Sequence, residues 1–91
     1  MSELASAART ERGEGPGGSG LRAEADLVAR VLEVRVVAGQ RVAEGEELVL
    51  LESMKMEIPV LAGRAGSVAE VAVAVGAAVQ PGDLLVLLSA D

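Results

Sequence analysis

The sequence predicts an all-β domain, a flattened barrel or sandwich whose two halves are related by pseudo-twofold symmetry. Three observations support this prediction. Segment 31–51 repeats as segment 68–88, at a constant offset of 37 residues and without a gap. Each copy contains valine- and leucine-rich runs of strand length, and each has glycines at the same two places. Two copies are too few for a solenoid, so we expect the halves to bury their apolar faces against each other.

Residues 1–24 differ in composition from the rest of the chain. They are rich in Ala, Ser, Gly, Glu and Arg, and they contain five of the eleven glycines. The stretch 13–20 reads GEGPGGSG, a composition that cannot pack a hydrophobic core. We therefore expect residues 1–24 to form a flexible, disordered tail and residues 25–91 to form the folded domain.

Each half of the domain is expected to contain two kinds of strand. Segments 32–36 and 71–75 alternate apolar residues with charged or small ones, which is typical of half-buried strands. Segments 48–51 and 84–88 are continuous apolar runs, which indicates more fully buried strands. Between the strands the chain must turn, and glycine adopts positive φ at little cost. The glycines at these places are Gly39, Gly45, Gly76 and Gly82.

The segment that joins the two copies, 51–59, reads LESMKMEIP. Strand-like residues flank its centre at 47–53 and 57–61, and only a few residues lie between them. We therefore expect a β-hairpin with Met54 and Lys55 at or beside its tip. Lys55 is the only lysine in the chain, since the other seven basic residues are arginines.

The residue types that are missing exclude several functions. The 91 residues include no His, Cys, Phe, Tyr or Trp, so the chain has no side chain that ordinarily titrates near neutrality and no His or Cys metal ligand. A net charge of −6 argues against nucleic-acid binding. No apolar tract reaches the length of a membrane span, and the N-terminus lacks a signal-peptide core. We expect a cytoplasmic, monomeric protein that binds no metal and catalyses no reaction itself.

A single primary amine at an exposed turn suits an acyl acceptor. An exposed lysine is almost fully protonated at pH 7, which does not suit a Schiff-base catalyst, but an enzyme that brings its own activated acyl group can use it. Arginine cannot replace it in this role, because the guanidinium stays protonated. Met54 and Met56 are then either edge packing or apolar handles for a modifying enzyme.

Segment 52–56, ESMKM, resembles the E-[A/S]-M-K-M sequence of biotinyl domains, the biotin carboxyl carrier family. The V-x-x-G-x-x-V-x-x-G-x-x-L spacing of residues 36–48 resembles that family too, and the resemblance covers residues 25–91. It implies a barrel-sandwich hybrid of two four-stranded sheets. Some of these carriers have a protruding loop in the first half, for which the gapless repeat leaves no room. The chain therefore resembles the thumbless single-domain type.

The resemblance also implies a function. Biotin protein ligase would attach biotin covalently to Lys55, and the ligase and partner enzymes would recognise Glu52, Met54 and Met56. The attached biotin would act as a swinging arm that carries a carboxyl group from biotin carboxylase to a carboxyltransferase, as in the acyl-CoA carboxylases of fatty acid metabolism. Two alternatives stay open: a lipoyl carrier, which usually has D-K-A at the site, and an unmodified β-hairpin adaptor, which leaves the single lysine unexplained.

Overall fold

The computed structural model describes residues 20–90, which contain eight β-strands and no helix, so no helix in this part of the chain could cross a membrane. The strands are short, and four-residue turns separate several of them. In chain order they are β1 (Gly20–Glu24), β2 (Ala29–Val34), β3 (Arg41–Val42), β4 (Glu47–Ser53), β5 (Met56–Leu61), β6 (Gly66–Val71), β7 (Ala78–Val79) and β8 (Leu84–Ser89).

The strands form two four-stranded sheets in which all neighbours are antiparallel. Sheet I has the order β1-β8-β6-β3, and sheet II has the order β5-β4-β2-β7. Each sheet therefore contains strands from both halves of the sequence, so neither half could form its sheet alone. The predicted all-β architecture of two four-stranded sheets is confirmed.

The 37-residue repeat is also a repeat of strand register. Val31 pairs with Leu51 in sheet II, and their counterparts 37 residues later, Val68 and Leu88, pair in sheet I. Each of these pairs is followed by a β-bulge at the same place in both halves. The first half has no inserted loop relative to the second, in agreement with the thumbless arrangement. The pseudo-twofold symmetry predicted from the repeat is thus present in the backbone pairing.

Strand β1 corrects the predicted domain boundary, because its residues had been assigned to the tail. β1 pairs with β8 along its whole length, and Leu21 and Ala23 pack against the hydrophobic core. The 37-residue offset makes β1 the counterpart of β5. Its alternation of apolar and charged residues was the available signal, but it follows a glycine-rich stretch directly. Residues 1–19, the rest of the predicted tail, lie outside the described residues, so their disorder stays a prediction.

Strands β2 and β6 begin and end earlier than the predicted segments 32–36 and 71–75. Each strand also contains a bulge, which shifts the alternation between the two faces. As a result Val31 is buried in the core while Leu32 is only half-buried. Beyond the end of β2 the ladder continues for one bond, in which the Arg35 N–H donates to a carbonyl oxygen of β4 at 2.9 Å. The chain then turns.

The predicted turn glycines connect one half of the molecule to the other. The Gly39 N–H donates to the Val68 carbonyl oxygen (2.7 Å), and the Gly76 N–H donates to the Val31 carbonyl oxygen (2.8 Å). Both glycines have φ of 93°, a backbone conformation that side-chain-bearing residues rarely adopt. All four predicted turn glycines have positive φ, namely Gly39, Gly45, Gly76 and Gly82.

The core lies between the two sheets and is built from Val, Leu and Ala of both halves. Among the described residues it contains no buried polar or charged side chain. Removal of these side chains from water is the main force that holds the sheets together. Because residues 48–51 of β4 are buried in this core, it also anchors the hairpin of β4 and β5. The largest fully buried side chains are those of Val31, Leu48, Val49, Leu51, Val79, Leu85, Val86 and Leu88.

Candidate functional site

Strands β4 and β5 form the hairpin predicted from the sequence, with Met54 and Lys55 as its two-residue loop. Ser53 pairs with Met56 directly below this loop. The φ angles of Met54 and Lys55 are 54° and 67°, and positive φ at both central residues is the arrangement of a type I′ turn. This turn type matches the right-handed twist of the flanking strands. The predicted position of Lys55 at the tip is confirmed.

The turn places side-chain-bearing residues where glycine or asparagine is usual. A left-handed conformation costs a residue with a Cβ atom roughly 1–2 kcal/mol. Met54 and Lys55 are the only non-glycine residues with positive φ among the described residues. The antiparallel ladder, which runs from the Ser53–Met56 pair to the Glu47–Leu61 pair, holds the loop in this conformation. The hairpin therefore fixes the backbone from which the Lys55 side chain extends.

The side chains at the tip point into solvent. Met54 is 88% exposed and Met56 is 58% exposed, so most of the surface of each methionine is open to solvent. Lys55 is exposed as well, and no ion pair within residues 20–90 involves it. A primary amine flanked by two exposed, flexible apolar side chains is accessible to the active site of another protein.

Glu52 lies directly opposite Glu57, one pair below Ser53 and Met56. Like charges in this arrangement repel each other and destabilise a sheet. Arg30 pairs with Glu52 from the other side, yet no ion pair in the described part of the chain involves any of these three residues. In sheet I the counterpart of Glu52 is the neutral Ser89, which pairs with Gly20 and Ser67. The acidic pair is thus a feature of the lysine end of the molecule and not of the fold.

Ser53 connects the hairpin to the loop between β1 and β2. Its hydroxyl group donates a hydrogen bond to the Val28 carbonyl oxygen at 3.0 Å, and the Val28 side chain is 68% exposed. Sequence reasoning missed both residues. They are 25 positions apart, and neither lies in a local pattern that sets it apart from an ordinary strand end or loop.

An ion-pair cluster lies at the base of the hairpin. Arg35 Nε is 2.8 Å from an oxygen of Glu47, the first residue of β4, and Arg35 Nη2 is 3.0 Å from an oxygen of Glu33. The hydrogen bond to Glu47 and the charges of both carboxylates raise the pKa of Arg35. A raised pKa means that this favourable interaction is fully present below the ordinary arginine pKa, and therefore at any physiological pH. Because the cluster is exposed, its effect on stability is small.

The chemistry available at this site is that of one amine. Within residues 20–90, no three acidic side chains converge as they would at a metal site. Lys55 is the only lysine in the chain and thus its only side-chain primary amine. The site can present this amine, and a group carried on it, to other proteins.

Comparisons with known proteins show which family the fold and the sequence resemble. A protein-family model described as "biotin-requiring enzyme" matches residues 23–88. The chain is 58% identical, over 65 residues, to the "biotinylated protein TB7.3 homolog" of Mycobacterium leprae, and the alignment covers 71% of this chain and 92% of the relative.

The solved structures that are similar to the chain include the following two. One is a single-chain, multi-domain long-chain acyl-CoA carboxylase, with a TM-score of 0.75 and 30% identity over 85% of this chain and 8% of that chain. The other is the lipoyl domain of the 2-oxoglutarate dehydrogenase complex from Azotobacter vinelandii, with a TM-score of 0.61 and 31% identity over 68% of this chain and 78% of that domain. The predicted barrel-sandwich fold is confirmed, and both an acyl-CoA carboxylase and a lipoyl domain are similar to it.

Proposed function

The chain belongs to the biotinyl/lipoyl attachment family, and we propose that it is a biotin carrier in which Lys55 receives the biotin. The observation that carries this proposal is the hairpin tip, where the chain's only lysine is exposed in a two-residue turn between two exposed methionines. The description of the matching family model and the name of the mycobacterial relative both refer to biotin.

Biotin fits the chemistry of this site. Its carboxyl group can form an amide with a primary amine, and Lys55 Nζ is the only side-chain amine in the chain. Lys55 Nζ forms the new C–N bond to an activated acyl carbon, loses its protons to the surroundings, and the activating group leaves with the bonding electron pair. A separate enzyme, biotin protein ligase, must supply the activated donor. When bound, biotin supplies a ureido group that can carry a carboxyl group between two active sites.

The residues of this chain hold and identify the amine. The turn at Met54 and Lys55 fixes the direction in which the lysine leaves the domain, so that the ligase meets one defined backbone. Met54 and Met56 offer exposed apolar contact surface, and Glu52 offers a carboxylate that no ion pair within the described residues neutralises. We assign these three side chains to recognition by the ligase and by later partner enzymes.

The later partners in this proposal are a biotin carboxylase and a carboxyltransferase, which act in turn on the group attached to Lys55. The carrier contributes no catalytic group, but the tether raises the effective concentration of that group at both active sites. Similarity to a domain of a long-chain acyl-CoA carboxylase supports an acyl-CoA carboxylase as the assembly. Because the chain spans 8% of that protein's length, the carboxylation activity would reside in its partners.

Intact mass measurement tests the attachment. The full chain is coexpressed with a biotin protein ligase in the presence of biotin and lipoate, beside Lys55→Arg. We expect a biotinyl mass increment in the wild type alone, together with a change in net charge from −6 to −7. In the double variant Lys55→Arg, Arg64→Lys, the lysine lies at another exposed turn position, and we expect no increment. A lipoyl increment on the wild type, or none on a folded chain with active ligase, would overturn the proposal.

Carboxyl transfer needs a second test. The biotinylated and unbiotinylated chains are each incubated with biotin carboxylase, ATP and radiolabelled bicarbonate. We expect acid-labile label on the biotinylated chain alone. If biotinylation succeeds and no label is transferred with any carboxylase of the class, the chain is a biotinylated protein but not a carboxyl carrier.

A further inference from the structure

We propose that Val28 is a specificity-determining residue of the surface that the biotin protein ligase covers, and that Ser53 positions it. This proposal rests on the proposed function, since it concerns the enzyme that modifies Lys55. It extends the recognition surface from the hairpin to the loop between β1 and β2, a separate part of the sequence.

The contact between loop and hairpin is direct. The Ser53 hydroxyl donates to the Val28 carbonyl oxygen at 3.0 Å, and Ser53 immediately precedes the two turn residues. The residue next to the turn therefore contacts the backbone of Val28 through its own side chain. Six large apolar side chains are exposed in the described part of the chain, and three of them, Val28, Met54 and Met56, lie at this end of the hairpin.

The internal symmetry shows that the fold requires neither side chain. The residue 37 positions after Val28 is Ala65, which is exposed, and the residue 37 positions after Ser53 is Ala90. The two halves share their strand registers, so the same backbone forms with alanine at both places. At 68% exposure, Val28 also buries little surface within its own domain. The valine and the hydroxyl group are thus additions at the lysine end alone.

The ligase is the partner that must approach this surface most closely. It has to bring the Lys55 amine itself into its active site, whereas later enzymes act on a group held farther from the domain. A specific interface covers about 800 Å² on each partner, an area that extends from Lys55 beyond the two turn residues. Val28, whose backbone is linked to Ser53 by one hydrogen bond, lies within this area, and its exposed side chain adds apolar surface at the same end of the hairpin.

The chain contains a matched control for Val28. Val37 has nearly the same exposure, 66%, but it lies in the turn whose Gly39 N–H is bonded to Val68 of sheet I. A change from valine to aspartate has the same chemistry and the same change in net charge at both places. Only the position relative to Lys55 differs.

The test is steady-state biotinylation of the full chain by biotin protein ligase. We expect Val28→Asp to lower kcat/KM about tenfold or more, mainly through KM, because an apolar contact is lost and a charge is buried at the interface. Val37→Asp should stay within about twofold of wild type, since surface sites away from an interface contribute little. Val28→Thr, similar in shape but polar, should give an intermediate loss of kcat/KM. It keeps the test possible if the aspartate variant does not fold.

Ser53 is tested as a positioning residue. Ser53→Ala should lower kcat/KM by about twofold to tenfold, the range of one neutral hydrogen bond, while Ser53→Thr, which keeps the hydroxyl group, should restore most of it. Amide hydrogen exchange at Leu27 and Val28 should become faster in Ser53→Ala and not in Ser53→Thr, because the loop loses its attachment to the hairpin.

The outcomes separate the two proposals. Absence of biotin on the wild-type chain would overturn the proposed function. A biotinylated wild type with equal kcat/KM for Val28→Asp and Val37→Asp would overturn the role of Val28. If Val28→Asp is biotinylated at the wild-type rate but is a poor substrate for biotin carboxylase, the surface belongs to a later partner and the assignment to the ligase is wrong.

Discussion

Gly66 lies so close to the carbonyl group of Ser89 that residue 66 cannot carry a side chain without movement of the backbone. A Cβ atom added to Gly66 would clash with the Ser89 carbonyl oxygen and would lie 3.2 Å from its carbon. These residues belong to neighbouring strands of sheet I, β6 and β8. In the first half the same position holds Ala29, whose methyl group is accommodated in the core. The two halves therefore differ here in how closely their strands approach.

Gly66→Ala should lower the free energy of unfolding by about 1–3 kcal/mol, because the added methyl group forces β6 and β8 apart. Urea unfolding followed by far-UV circular dichroism measures this, since the chain has no aromatic side chain for fluorescence. Gly63→Ala is the control: its added Cβ meets open space and should change stability by less than about 0.5 kcal/mol. Equal effects of the two substitutions would contradict the clash.

Met54→Gly should raise the free energy of unfolding by about 0.5–1 kcal/mol, because glycine removes the cost of positive φ but loses more chain entropy on folding. Met56→Gly should have the opposite sign, a loss of about 0.5–1 kcal/mol, since Met56 lies in strand β5 where glycine is unfavourable. The comparison uses the same residue change two positions apart. A loss of stability in both variants would show that the turn at Met54 is unstrained.

Glu57→Lys should stabilise the domain by about 0.2–1 kcal/mol, because it replaces the like-charge pair with Glu52 by an opposite-charge pair. The gain should shrink as salt concentration rises. Glu70→Lys makes the same change in net charge, but Glu70 pairs with Leu87, so we expect no comparable gain. Thermal unfolding at low and high salt distinguishes the two, and an equal gain for Glu70→Lys would point to net charge alone.

Leu51→Ala and Leu88→Ala should each lower the free energy of unfolding by about 2–5 kcal/mol, the usual cost of a leucine-sized deletion in a core. Leu51 is fully buried and Leu88 is 2% exposed, and they occupy equivalent positions in the two sheets, so their costs should be similar. Leu61→Ala, at a residue 50% exposed, should cost less. Widely different values for Leu51 and Leu88 would contradict the equivalence of the two positions.

The hairpin could be predicted because its signals are local. The apolar run of β4 and the strand-like residues of β5 leave only a few residues for the turn, and the predicted limits of β4, 47–53, match the structure. The turns at Gly39 and Gly76 were predicted for the same reason, since one residue type relieves the steric cost of positive φ. Where the conformation is set by a residue and its immediate neighbours, the sequence pattern was sufficient.

Strand β1 and the bulges in β2 and β6 could not be predicted in this way. Residues 20–24 follow a glycine-rich stretch directly, and their short alternation of apolar and charged residues becomes a strand only by pairing with β8, far along the chain. The bulge after Val31 is set by the register against β4 and is not visible in the alternation of residues 32–36. In each case a distant strand supplies the hydrogen bonds that decide the conformation.

The sequence by itself determined the repeat, the all-β class, the turn positions and the single amine at the centre of the chain. These follow from the φ preferences of glycine, the alternation of apolar residues and the chemistry that distinguishes lysine from arginine. Only the tertiary structure decided that β1 completes sheet I and that Ser53 bonds to Val28. Those relationships join residues that are separated along the chain, and they depend on strand register, which is fixed when both sheets close over one core.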